Sequence, residues 1–245
     1  MALFESLRLC EGTLHFASAH WESLERAAIH SRFPLPHDAR PALEALFKAY
    51  QGEWFVRIYL TAGDGSPRDP VVSPRLLVFA EPRMRAQSVP WQISWHPAPY
   101  LAPRGGLKTA NYWFNVQALS DAQAEGYSET LLFHPDGRLV SAAMANVFLK
   151  IAGDWITPEL DAGARDGVLR RWTLEQLRVK VSPLFREDVR RAESIFLTNS
   201  WLGIQPVQRC GDTPLDFAAE IPLLQGALEA ANPPPNQDFA AKGAS

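Results

Sequence analysis

The chain has 245 residues, 47% of them hydrophobic and 21% charged, with a formal net charge of -3. That balance suits a globular chain of one large domain or two smaller ones, and it lacks the basic run expected of a nucleic-acid partner. No apolar run is long enough for a membrane span, and the start M-A-L-F-E-S-L-R-L lacks the charged and apolar regions of a secretory signal. Cys10 and Cys210 stand alone and the six histidines lack metal-ligand spacing, so the expectation is a reducing, cytoplasmic setting and no metal. H-E-x-x-H, Walker and G-x-G-x-x-G patterns are absent.

In chain order, 3–9 and 12–16 read as strands of a hairpin split at Glu11-Gly12. Ser18 is placed as the cap of a helix through about Ile29, with Trp21, Leu24, Ala27 and Ala28 at helical spacing. A second helix is expected over 38–50, ended by Gly52, then strands at 53–62, 75–80 and 89–95. Residues 96–106 carry three prolines and two glycines and break every periodic pattern, which marks an interdomain linker. The lobes are therefore expected at 1–97 and 107–232, joined by 98–106.

The second half is expected to start with a helix at 109–125, opened by Lys108. Strands are predicted at 129–134, 146–151 and 154–156, with a further strand after the P-D-G turn at 135–137 leading into a loop of small residues that closes on Asn146. A helix at 168–177, a strand at 179–184, a short helix at 186–191, strands at 194–199 and near 204–209, and a last helix at 214–231 follow. The Pro- and Ala-rich tail 233–245 is expected to be disordered.

Lys108 is the first candidate for chemistry. Flanked by Leu107 and by the apolar residues Trp113, Phe114 and Val116, it is expected to be partly desolvated, which favours the neutral amine that a Schiff base or a general base needs. On residue type alone an exposed lysine at a helix start is by far the commoner reading, and only the neighbours of Lys108 raise the functional one.

The neighbours of Lys108 carry a resemblance. K-x-x-N-Y at 108–112, D-G at 136–137, N-V-F at 146–148, T-P at 157–158, G-V-L-R at 167–170 and F-L-T-N-S-W-L-G-I-Q-P-V at 196–207 occur in order, with F-E-S-L-R-L at 4–9 and S-A-H-W-E-S-L at 18–24 upstream. The set resembles the fold-type IV (class IV) pyridoxal-phosphate enzymes, which include branched-chain and D-amino acid aminotransferases and 4-amino-4-deoxychorismate lyases. The T-N-S-x-x-G-I-x-P-V stretch and the short chain are most similar to the lyases. The resemblance implies a two-lobed α+β fold, with a small N-terminal lobe, short at its start, and a larger lobe built on a barrel-like sheet.

It also implies roles. Lys108 would be the Schiff-base lysine and general base. Gly167, Val168 and Leu169 would offer backbone N–H groups to the cofactor phosphate at a helix N-terminus, where orphan donors and the helix dipole suit an anion, and Ser200 would add a hydroxyl. Asn146 would organise the loop around it. Arg104 is the candidate for the substrate carboxylate and Tyr112 for the site wall. A small-molecule amine substrate and a homodimer are implied as well.

Two positions depart from the family pattern. Ser141 stands where the family has the glutamate that pairs with the pyridine nitrogen, and Ser23 where it has an arginine that clamps the phosphate. Three readings stay open: a lyase giving 4-aminobenzoate and pyruvate, an amino acid aminotransferase, and a degenerate scaffold with weak or no cofactor binding.

Overall fold

A computed structural model describes residues 2–36, 39–64, 68, 73–84, 89–102 and 106–231. Arg104 and the tail 233–245 lie outside the described residues. The chain divides into two compact units. One comprises residues 1–86, 108–110 and 227–245, and the other residues 87–107 and 111–226.

In the first unit, β1 (Ala2–Cys10), β2 (Thr13–Leu14), α1 (Ala17–Ser31), α2 (Ala39–Phe47), β3 (Glu53–Thr61) and β4 (Arg75–Pro82) follow in order. The sheet runs β2-β1-β3-β4, antiparallel throughout. β1 pairs with β3 along its whole length, Leu3 opposite Leu60 and Leu7 opposite Val56. Side chains alternate across a strand, so Leu3, Glu5, Leu7 and Leu9 share one face of β1, and all four are buried. The buried stripe of α1 is His20, Leu24, Ala27 and Ala28. Two expectations shift here. The stripe starts at His20 rather than Trp21. Ser18 is not the cap, because the residue before the helix is Phe16, held in the left-handed region at φ 51 without a side-chain cap.

The second unit holds β5 (Trp91–Trp95), α3 (Trp113–Ala124), β6 (Glu129–Phe133), β7 (Leu139–Ala142), β8 (Asn146–Ile151), β9 (Asp154–Thr157), α4 (Val168–Gln176), β10 (Val179–Val181), α5 (Arg186–Arg190), β11 (Ser194–Asn199), β12 (Gly203–Cys210), β13 (Thr213–Pro214) and the start of α6 (Glu220–Ala230). Its sheet is a curled half-barrel in the order β10-β9-β8-β11-β12-β5-β6-β7, with β13 on β12. β5 joins β12 and β6 in parallel, while β8, β11 and β12 are antiparallel neighbours. The core between the strands is Ile93, Leu131, Phe133, Leu139, Val147, Leu149, Ile195, Leu197 and Val207. The rings of Phe148 and Phe196, opposite one another on β8 and β11, stack at 4.7 Å. At the P-D-G turn Gly137 has φ 90, which only glycine takes without strain, and His134 and Arg138 close the turn through His134 N–H donating to the Arg138 carbonyl at 2.8 Å.

The helix expected from residue 109 begins four residues later, at Trp113. The backbone of 108–110 is committed elsewhere. Phe4 N–H donates to the Lys108 carbonyl at 2.9 Å, Ala110 N–H donates to the Ala2 carbonyl at 2.8 Å, and Leu3 bridges Thr109. Groups already bonded to β1 are not available for a helical turn. The last helix also starts late, at Glu220, because Leu215 and Asp216 donate their N–H groups to the Gln208 and Glu193 carbonyls. Among the described residues no helix is long and apolar enough to cross a membrane.

Candidate functional site

In the first unit the chemistry gathers on Glu5. Its Oε2 lies 2.8 Å from His20 Nδ1 and 3.7 Å from Lys108 Nζ, and its Oε1 accepts the Ser23 hydroxyl at 3.0 Å. Glu5 is 6% exposed and His20 is 2% exposed. The Lys108 ammonium also lies 5.0 Å from the centre of the Phe4 ring, within cation–π range. Strand β1 thus fixes Lys108 twice, by backbone hydrogen bonds through Phe4 and by charge through Glu5. Trp113 and Val116 are largely exposed, and the lysine side chain, itself 17% exposed, has the Glu5 carboxylate for a neighbour.

Ser23, expected from the resemblance to stand where the family has an arginine, turns its hydroxyl to Glu5. Glu5 and His20 are not among the residues that the sequence singles out. The available signal is an acidic residue inside the alternating apolar run L-F-E-S-L, and a histidine on the apolar stripe of α1.

In the second unit the loop Ala143–Ala145, between β7 and β8, is held by buried polar side chains from three directions. Glu129, the first residue of β6, accepts N–H groups from Thr130 (2.9 Å) and Ala143 (3.1 Å) on Oε1 and from Met144 (3.0 Å) on Oε2. Burial pushes its carboxyl up to about 7, against the pull of those three donors. The Ala143 carbonyl accepts from Tyr112 Oη at 3.2 Å and Asn115 Nδ2 at 2.9 Å. Asn199 Nδ2 donates to the Met144 carbonyl at 3.1 Å, while its Oδ1 accepts the N–H groups of Trp201 and Leu202. That arrangement shapes the turn that presents Ser200.

Asn146 closes the loop. Its Nδ2 donates to the Arg165 carbonyl at 2.8 Å, and its Oδ1 packs against Gly167, where an added Cβ would sit 2.3 Å away. Gly167 (φ -69, ψ 148) is the residue before α4, and no side chain caps that helix. The first N–H groups of α4, on Val168 and Leu169, are orphan donors of the kind that receive anions. The Arg165 guanidinium lies over the Tyr112 ring at 5.1 Å.

Asn146, Gly167 and the Asn199–Ser200 turn therefore come together around one loop, Thr198 facing Asn146 across the β11–β8 pair. Ser141 is the third residue of β7, opposite Leu132, two residues before the loop. Its hydroxyl makes no hydrogen bond among the described residues. Tyr112 contributes through its hydroxyl on the loop. Glu129, Asn115 and Asn199 escape a reading of the sequence. Asn199 lies inside the quoted T-N-S motif, whereas Glu129 reads as the polar end of an apolar strand.

The chain is similar to known proteins over most of its length. The chain is 28% identical over 224 residues to an aminodeoxychorismate lyase of Bacillus subtilis (strain 168), covering 84% of this chain and 76% of that protein. Among solved structures it is similar to 4-amino-4-deoxychorismate lyase from Pseudomonas aeruginosa, with a TM-score of 0.82 at 25% identity over 94% of this chain and 90% of that one. It also shares its fold with the PLP-bound form of a hypothetical aminotransferase from Mycobacterium tuberculosis, with a TM-score of 0.80 at 18% identity over 94% and 88% of the two chains. The family model for amino-transferase class IV matches residues 2–210, and the chain belongs to that family, which uses pyridoxal phosphate.

Proposed function

We propose that this chain is a pyridoxal-phosphate-dependent lyase of the aminodeoxychorismate type, releasing 4-aminobenzoate and pyruvate. The observation that carries the reading is the placement of Lys108, a lysine held by both backbone and charge on β1 in a chain similar over most of its length to such lyases.

The residues present fit the cofactor. The uncapped N-terminus of α4 offers the Val168 and Leu169 N–H groups to a phosphate, and Gly167 lets the Asn146 carboxamide close the turn beneath them. Ser200, on a turn fixed by Asn199, supplies a hydroxyl donor to the same phosphate. Ser141 supplies a hydroxyl for the ring nitrogen. Ser23 and Tyr112 act at one remove, Ser23 through Glu5 and Tyr112 through the Ala143 carbonyl. When bound, pyridoxal phosphate accepts the electron pair left as a C–H bond beside the substrate amine breaks. Lys108 Nζ anchors the group, takes the proton from that carbon as general base and returns it later.

Ser141 bears on the choice between the reactions. A charge-assisted hydrogen bond is roughly twice as strong as a neutral one, so a hydroxyl supports negative charge on the ring less well than a carboxylate. Elimination passes the electron pair on to a leaving group of the substrate itself and asks less of the ring than transamination does. That difference favours the lyase over an amino acid aminotransferase. A non-catalytic scaffold is the second reading, favoured by the same residue together with Ser23, since neither supplies the usual charge. By resemblance the chain works on a small-molecule amine as a homodimer.

The test is a spectrum of the purified protein with added pyridoxal phosphate. The lyase reading expects a visible band that borohydride reduces and that Lys108→Ala lacks, together with pyruvate release from aminodeoxychorismate. A protein that stays colourless in excess cofactor overturns it and leaves the scaffold. A band with amino-group exchange but no pyruvate points to the aminotransferase.

A further inference from the structure

Glu5 occupies a place that its strand otherwise gives to leucines, between Leu3 and Leu7 on the buried face of β1. A charge there is tolerated only when it is matched. Its partners are of two kinds. His20 and Ser23 approach from α1, and Lys108 approaches from the segment paired to β1.

We propose that Glu5 is the positioning residue and proton partner of Lys108, holding its free side chain as the ammonium ion and receiving its Nζ proton when the amine is needed. The inference rests on the reading of Lys108 as the reactive amine. In this step one N–H bond of Lys108 breaks and one O–H bond forms on Glu5 Oε2. The product is a neutral amine beside a neutral carboxyl. Loss of the same proton to solvent would instead strand a buried carboxylate without its counter-charge, which is the costly arrangement. At 3.7 Å the resting contact is an ion pair rather than a hydrogen bond, so a rotation of the flexible lysine side chain brings donor and acceptor into reach. His20 Nδ1 lies at hydrogen-bond distance from the same oxygen and holds the carboxyl in place.

A cavity of about 20 Å³ borders Glu5 and His20, lined also by Trp21, Arg40 and Glu44. It has room for one water beside Glu5. Lys108 and His20 face Glu5 directly, and the Arg40–Glu44 ion pair of α2 lies across the cavity. From β3, Arg57 lies over the Phe4 ring at 5.5 Å.

The experiment uses full-length protein without cofactor. Trace acetylation with acetic anhydride is run from about pH 6 to pH 11, spanning the ordinary lysine range, and labelling of each lysine is read by mass spectrometry. Lys108 in the unaltered protein is expected to label at higher pH than the exposed lysines of the same sample. In Glu5→Gln its midpoint falls by about one pH unit or more, the size of effect that an opposite charge at this range produces, which is about tenfold more labelling at a given pH below it. Ser23→Ala removes a donor from Glu5, makes the carboxylate a stronger base and moves the midpoint the other way. A purely structural role for Glu5 moves neither. An unchanged midpoint in Glu5→Gln, or in Ser23→Ala should the glutamine variant not fold, overturns the assignment. Acetylation involves no pyridoxal phosphate, so a shifted midpoint in a protein that forms no cofactor band would overturn the lyase reading and leave this one standing.

Discussion

Glu5 and Glu129 are both carboxylates set into the interiors of sheets, 6% and 1% exposed, and they are satisfied in opposite ways. Glu5 is met by side chains: a lysine, a histidine and a serine hydroxyl. Glu129, among the described residues, is met by backbone N–H groups, one from its neighbour and two from the loop before Asn146. Side-chain partners can rotate away or change protonation, so the Glu5 cluster can move a proton. Backbone partners belong to the fold, so Glu129 fixes the shape of a loop. The difference separates a carboxylate fitted for chemistry from one fitted for geometry, although burial alone makes them look alike.

The largest expected effect falls on the chemical side. Lys108→Ala should lower any lyase or transaminase turnover by at least about 10²–10⁴-fold, the usual contribution of a positioned acid–base group, while thermal unfolding shows the fold retained. Turnover within about tenfold of the unaltered protein, well short of that contribution, would place the chemistry elsewhere and dissolve the contrast.

On the geometric side, pH should matter. Burial raises the carboxyl of Glu129 to about 7 in the fold, against an ordinary value of 4.5, so the folded state holds its proton more tightly than the unfolded chain. A raised value gives stability that is full below about pH 4.5 and is lost as pH climbs through 7, by up to about 3 kcal/mol. Urea unfolding of the unaltered protein and of Glu129→Gln across about pH 4–8 checks this. The glutamine variant should lose that component of the slope, and equal slopes in the two proteins would mean the carboxylate is already ionised in the fold.

Gly167→Ala should cost about 1–3 kcal/mol, the range of overpacking, because the new Cβ meets the Asn146 Oδ1 at 2.3 Å. The φ of -69 is open to any residue, so the cost comes from the side chain alone. In an Asn146→Gly background it should shrink, and a double-mutant cycle in denaturant measures by how much. The smallest effect is expected for Asn199→Ala, about 1 kcal/mol for hydrogen bonds that partly exposed backbone can replace. It should also weaken cofactor phosphate binding, which titration with pyridoxal phosphate reads through a raised Kd.

Much of the second unit is legible in the sequence. The strand at 129–133, the P-D-G turn, the run from Asn146 to Ile151 and the helix starting at Val168 fall close to where apolar periodicity and turn residues put them. The ends of elements are less legible where a tertiary hydrogen bond intervenes. Residues 109–112 have a helical pattern, yet Thr109 bridges Leu3 and the neighbouring backbone bonds to β1. The cap of α1 escapes for a related reason, since Phe16 takes a left-handed conformation that residue preference does not suggest.

By itself the sequence determined the class of fold and the family, and it nominated Lys108, Gly167, Asn146 and Ser200 as candidates, because motif residues sit at short spacings along the chain. It also determined the departures at Ser141 and Ser23. Only the tertiary structure decided what those residues face. Glu5 and Lys108 are far apart in sequence and 3.7 Å apart in space, and Glu129 reaches across its strand to bind Ala143 and Met144. Such partnerships depend on strand register and on which face of an element a side chain takes. Those are set by the packing of the whole sheet, and local sequence does not contain them.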